Sequence, residues 1–269
     1  MSSDPDGPTH PIGQARRLTA ERFPDALSAV LAGSTVSGRA TSTSDLDIAV
    51  LIEDGGETRR ETLRFEGRLV ELFVHTRAGL DELFAADTAS RRGVMQCMYA
   101  DGLVLSERDG AATHIKRLAE GALREGPGAL APATVESLRY VLTDALDDLA
   151  DTADVVERLA VAAVVLSTAA DLLFDHCRAW TGGGKWLPRR LLQADPVHGG
   201  ALLDGYRHLC ENGEPENFAY AALEILALAG GPLREGYSRT WRAAAEPQRG
   251  EPIRSRRGDA DRERKEPPC

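Results

Sequence analysis

The chain has 269 residues, enough for one large domain or two modest ones, each with its own core. Its 42% hydrophobic and 28% charged residues describe an ordinary soluble globular protein. A net charge of −10 and a pI near 5.2 argue against an extended nucleic-acid surface, which needs a basic face, though not against a small basic pocket.

Taken in chain order, residues 1–10 read as a flexible lead without the basic and apolar regions of a secretion signal. A helix follows in IGQARRLTAERF and stops at Pro24. ALSAVLAG, residues 26–33, reads as a short strand, and the Gly/Ser/Thr-rich segment 34–44 as a turn or functional loop. LDIAVLIE is a second strand ended by the turn DGGE. ETLRFEGRLVELFVHT has the pattern of a hairpin turning at Glu66-Gly67. Helices over roughly 77–86 and 88–100, a strand at 102–107 and a helix near 109–125 complete this half.

EGPGALAPA, residues 125–133, marks a composition break beyond which no strand pattern occurs. In TVESLRYVLTDALDDLA, Leu138, Val141, Leu142, Ala145, Leu146 and Leu149 recur at helical spacing. A second helix is expected over about 153–180, stopped by the three glycines of TGGGK. Its apolar stretch 159–174 is flanked by Glu157-Arg158 and interrupted by Asp171, too short a run to span a bilayer. LPRRLLQ, VHGGALLDGYRHLCE and ENFAYAALEILALA supply further helices, the last closed by Gly230-Gly231-Pro232. The fold class is therefore α+β: a domain over 11–126 with a small mixed sheet flanked by helices, then an all-α bundle over 132–243. Residues 244–269, rich in Pro, Gly and mixed charge, read as a disordered tail. Cys97, Cys177, Cys210 and Cys269 are scattered without a C-x-x-C pair, which points to reduced thiols in a cytoplasmic protein.

The chemistry concentrates in AGSTVSGRATSTSDLDIAVLIE, residues 32–53. In a strand, Asp45 and Asp47 point the same way while Leu46 and Ile48 point to the core. Two carboxylates so placed repel each other unless a cation lies between them, and Mg²⁺, a hard ion that prefers oxygen ligands, fits. Glu71 in RLVELFVH joins them if its strand pairs beside 46–52, and three carboxylates can hold two ions. Gly33-Ser34 offers backbone N–H groups and a hydroxyl to a polyphosphate.

Gly-Ser, ten intervening residues, then SDLDIAV and a later VELFV resemble the signature of the DNA-polymerase-β-like nucleotidyltransferase superfamily over roughly residues 11–75. The resemblance implies that Gly33 and Ser34 hold a nucleoside triphosphate. It implies that Asp45 and Asp47 ligate two Mg²⁺ ions and that Glu71 ligates the catalytic one and helps activate the acceptor hydroxyl. Many relatives carry Arg before the loop glycine. Here the order is Ser37-Gly38-Arg39, and Arg39 is the residue offered for that role. In this superfamily a helical second domain commonly closes over the cleft.

Within the helical half, TGGGKWLPRR is no P-loop, because Trp follows Gly-Lys. Lys185, one of three lysines, is nevertheless placed to reach the β- or γ-phosphate, with Arg189 and Arg190 close by. The alternative is a solvated loop anchored by Trp186. Asp144, Asp147, Asp148 and Asp151 share a helix face, either as a wet surface or as a site for a cationic acceptor. His75 reads as a surface residue, and His176-Cys177 and His208-Leu-Cys210 lack metal-site spacing.

These readings converge on transfer of NMP from an NTP to a hydroxyl of a small, antibiotic-like acceptor with release of pyrophosphate, in a cytoplasmic monomer or homodimer without membrane contact. A toxin-type enzyme acting on tRNA or a protein side chain keeps the chemistry and changes the target. Arg178, Lys185, Arg189 and Arg190 forming a basic groove would favour it. A silent nucleotide-binding module is the alternative from another class, against which the intact acids argue.

Overall fold

The structure, a computed structural model, describes residues 10–41 and 43–240. Residues 1–9, Ser42 and 241–269, including the tail expected to be disordered, lie outside the described residues. A compact unit extends to Tyr237, and residues 238–240 beyond it carry no helix or strand.

The first element, α1 (Pro11–Arg22), places Pro at its start, where no N–H is required, and ends at Phe23 ahead of Pro24. β1 (Ser28–Ala32), β2 (Leu46–Leu51), β3 (Arg59–Phe65), β4 (Arg68–His75) and β5 (Leu103–Glu107) form one mixed sheet in the order β3-β4-β2-β1-β5. Only β2 and β4 pair in parallel. That pairing is possible because β3 carries the chain out to the sheet edge and back. The β3–β4 turn falls on Glu66-Gly67 as expected, both with positive φ (47° and 83°), the combination that matches strand twist. Glu66 is held in this conformation, uncommon for a non-glycine residue, by a two-pronged pair with Arg17 of α1 at 2.9 and 2.6 Å.

The two sheet faces bury separate cores. Leu31, Leu46, Ile48, Val50, Val70, Leu72 and Val74 pack on Ala15 and Leu18 of α1. Ala32, Ala49 and Leu51 pack on α3 (Arg77–Ala89), α4 (Val94–Asp101) and α5 (Ala111–Glu125) through Leu80, Met95, Tyr99, Ile115 and Ala119. α3 runs to Ala89 and α4 begins at Val94, so the break falls later than the composition suggested. Arg91 and Gly93, both left-handed, place it there.

The second half is all helix: α6 (Pro132–Asp151), α7 (Val155–His176), α8 (Trp186–Ala194), α9 (His198–Asn212) and α10 (Glu216–Leu228). Its core centres on Leu142, Leu149, Val165, Leu172, Leu173, Phe174 and Phe218. Each fully buried Leu or Phe contributes ~1.5–3 kcal/mol relative to exposure. Asp154 caps α7 by accepting from Val156 N and Glu157 N. α7 ends at His176, four residues short of the expected end, because Arg178 turns left-handed (φ 53°) and Trp180 folds back into the other half. No helix among the described residues is long and apolar enough to cross a membrane.

Arg91 fastens the two halves. Its guanidinium donates to Asp175 Oδ1 at 3.0 Å, to Phe174 O at 3.2 Å and to Gly128 O, and its carbonyl accepts from Thr181 N at 2.7 Å. The Trp180 ring lies on Gly93, where a Cβ would come within 2.8 Å of Cε3, and its Nε1 donates to Leu123 O at 3.1 Å. The anchor is thus Trp180. Trp186 is 43% exposed and stacks under Arg189 instead.

Candidate active site

In β2 every residue is buried except Asp47, which is half-buried. The parallel register sets Asp47 directly beside Glu71 of β4, and the antiparallel register sets it opposite Ala32 of β1. Asp45 lies two residues earlier on the same face. Carboxylate oxygens of Asp45, Asp47 and Glu71 all fall within 4.8 Å of one another. They occupy the end of the face that α3, α4 and α5 cover elsewhere.

Local contacts aim Asp45. The preceding loop closes on itself, with Thr41 N donating to Ser44 Oγ at 2.9 Å and Ser44 N to Thr41 O at 3.1 Å. Arg68 at the start of β4 donates to Ser44 O at 3.3 Å and to Gln14 Oε1 of α1 at 2.9 Å. One arginine thereby ties α1, the loop and the sheet together.

Gly33 follows β1 with φ +74°, and any Cβ there would overlap Asp47 Oδ2. Glycine is required both by the left-handed backbone and by this close approach. The segment Gly33–Val36 forms a single helical turn, α2, where a loop was expected. Ser37 N donates to Gly33 O at 3.2 Å and Arg39 N to Ser34 O at 3.0 Å, which closes the turn.

Burial pushes the Asp47 carboxyl up to about 6, and the charges of Asp45 and Glu71 add to that; Lys185 and Arg60 oppose it. Lys185, exposed at the head of α8, thus acts on Asp47 through its charge, with no hydrogen bond or ion pair to the three acids among the described residues. Arg39 is exposed in the loop after α2, and the main cationic influences on Asp47 come from Lys185 and Arg60.

Arg60 escapes a motif search. It donates to Glu71 Oε2 at 2.5 Å and lies over the Phe73 ring at 4.9 Å. The hairpin turn contained the signal: register from Glu66-Gly67 pairs Thr62 with Glu71 and Arg60 with Phe73, so Arg60 is a diagonal neighbour of Glu71.

His75, expected at the surface, is fully buried. Its Nε2 shares a 2.5 Å hydrogen bond with the Tyr99 hydroxyl, and desolvation lowers its pKa to about 4, so it stays neutral. On α6, Asp144 and Asp147 pair with Arg234 at 3.1 and 2.6 Å. His208 contacts Glu214, and His198 contacts Asp195, whose carboxyl the contact holds below its usual range.

The donor set fits a hard divalent cation. Three carboxylates converge with one ion pair among the described residues, Arg60 to Glu71, and their mutual repulsion is part of what perturbs Asp47.

Residues 12–78 match the nucleotidyltransferase domain family. No curated protein matches the chain. Among solved structures, a nucleotidyltransferase-like protein from Exiguobacterium sibiricum 255-15 is similar at 13% identity and a TM-score of 0.41, over 81% of this chain and 74% of that one.

Proposed function

We propose that this nucleotidyltransferase moves NMP from an NTP to a hydroxyl of a small, antibiotic-like molecule and releases pyrophosphate. The observation that carries the reading is the convergence of Asp45, Asp47 and Glu71 beside Gly33. The acceptor oxygen bonds to the α-phosphorus, the bond from that phosphorus to the β-phosphate oxygen breaks, and the hydroxyl proton leaves. Asp45, Asp47 and Glu71 would hold one or two Mg²⁺ ions. Bound there, a divalent cation would polarise the hydroxyl and neutralise charge on the transferring group.

The chain's own residues do the positioning. The turn starting at Gly33-Ser34 brings backbone close to Asp47, where a triphosphate would lie. Lys185, whose charge is felt at Asp47, would supply a point charge suited to the β- or γ-phosphate. Arg60 keeps one oxygen of Glu71 fixed, leaving the other for a cation or the hydroxyl. A small acceptor agrees with the net charge of −10, which disfavours docking a long polyanion.

The test incubates the full chain with Mg²⁺, each α-labelled NTP and a panel of hydroxyl-bearing small molecules, with total RNA and cell protein as further acceptors. The expected result is a labelled small molecule with stoichiometric pyrophosphate. Label confined to RNA or protein overturns the acceptor class, and no transfer under any condition returns the chain to a silent nucleotide-binding module.

A further inference from the structure

Away from the acidic edge, where α5, α7 and α8 meet, a crevice of about 260 Å³ is lined by Arg124, Arg178, Arg190, Gln193, Cys177 and Trp180. Three arginines line this one small hollow in a chain of net charge −10. We propose that this crevice is a second binding site, for a small phosphate-bearing anion such as pyrophosphate.

The carboxylates nearby offset its charge only in part: Asp87 and Asp101 act on Cys97, the thiol that Arg190 contacts. Asp175 is the only one paired with a crevice arginine among the described residues, at 2.9 Å from Arg178. The same Oδ1 also serves Arg91 at 3.0 Å and Leu130 N at 2.7 Å, so its charge is shared between two arginines. Asp195, just past α8, is committed to His198 at 2.7 Å. Arg190, half-buried, donates to Cys97 Sγ at 3.0 Å and to Gln193 Oε1 at 3.2 Å, neither of which carries a carboxylate charge. Arg124 forms no ion pair among the described residues. A phosphate group accepts several charge-assisted N–H bonds and would add counter-charge beside these arginines.

The crevice is built rather than incidental. Arg178 keeps a left-handed backbone (φ 53°), uncommon for a non-glycine residue. Its carbonyl lies against Gly126, where a Cβ would come within 2.5 Å. Trp180 forms one wall and is fixed by its bond to Leu123 O. The volume lies below the ~300–1,000 Å³ typical of drug-sized ligands, which suits a compact anion rather than a strand of nucleic acid. Because α8 begins beside Lys185 and presents Arg190 one turn later, an anion held here touches the same helix that faces Asp47.

Isothermal titration of the full chain with inorganic pyrophosphate in EDTA tests the site without the metal-dependent one. Saturable binding is expected, unchanged within about twofold in Asp47→Asn. It should weaken roughly tenfold in Arg124→Gln and in Arg190→Gln, the effect of losing one charge-assisted hydrogen bond. Arg124→Gln disturbs no contact seen here, so it decides the matter if Arg190→Gln unfolds. Absence of saturable binding, binding lost in Asp47→Asn, or binding indifferent to both arginine changes overturns the proposal. A single-stranded RNA oligonucleotide that binds more tightly than pyrophosphate through the same arginines overturns the small-anion assignment.

Discussion

Asp45, Asp47 and Glu71 at the sheet edge and Asp144, Asp147, Asp148 and Asp151 on α6 are both clusters of acids, yet their surroundings differ in kind. The α6 acids follow one another along a solvated helix face, and Arg234 bridges Asp144 and Asp147. The sheet acids come from two strands and the residue before one of them, converge within 4.8 Å and, among the described residues, have one ion pair, through Glu71. Helical spacing spreads carboxylates along a wet surface. Alternation in a strand, combined with a parallel neighbour in register, brings them together where part of their hydration is lost. A cluster that costs stability in the free protein is a candidate for binding, whereas a neutralised one is a surface.

Four changes break or sharpen that contrast. Asp47→Ala removes the carboxylate shared by the whole site and should lower nucleotide transfer on the order of 10³-fold, the scale of losing a preorganised charge stabiliser. Transfer at the wild-type rate would move the reaction elsewhere in the molecule. Gly33→Ala forces a Cβ onto Asp47 Oδ2 in a left-handed backbone. Transfer should fall by up to ~10²-fold, as a misplacement of about 1 Å can cost, and thermal unfolding checks that the chain remains folded.

The pH dependence of stability tests the desolvation. In metal-free protein the Asp47 carboxyl sits at about 6 when folded, against 3.8 ordinarily. Between those values the folded state holds a proton that the unfolded state has released. Stability therefore falls as pH rises from about 4 to about 6 and changes no further above that, by ~1–2 kcal/mol once partial exposure is discounted. Asp47→Asn should lose this slope, and Mg²⁺ at neutral pH should raise the unfolding temperature of the wild type more than that of the variant. An identical slope in both proteins would remove Asp47 as its source. The smallest effect is expected for Arg234→Ala: under about 1 kcal/mol in denaturant unfolding, with transfer unchanged, since its ion pairs are exposed. A collapse of transfer would place the α6 acids in the site after all.

Local chemistry made the hairpin and the acids legible. Glu66-Gly67 gave the turn, the turn gave the register, and period-two alternation put Asp45 with Asp47. His75 was misread because alternation alone does not say that α4 covers that end of β4 with Tyr99. An anchoring role for Trp186, one of two readings of its loop, does not hold: Trp180 six residues earlier carries the packing on Gly93. The expected helix over 153–180 overran because nothing in the local composition forces Arg178 into a left-handed turn. Contacts with Gly126 and Arg91 do.

By itself the sequence determined the order of elements, the mixed sheet followed by helices, and the spacing of Gly33, Asp45, Asp47 and Glu71, because turn chemistry and periodicity act over a few residues. Only the tertiary structure decided that β2 and β4 lie in parallel with Asp47 beside Glu71, that the charge of Lys185 on α8 is felt at Asp47, and that Arg124, Arg178 and Arg190 line one crevice. Those juxtapositions join residues apart in the chain: the first is set within the sheet by β3 carrying the chain to the edge, the others by packing of the two halves through Arg91 and Trp180.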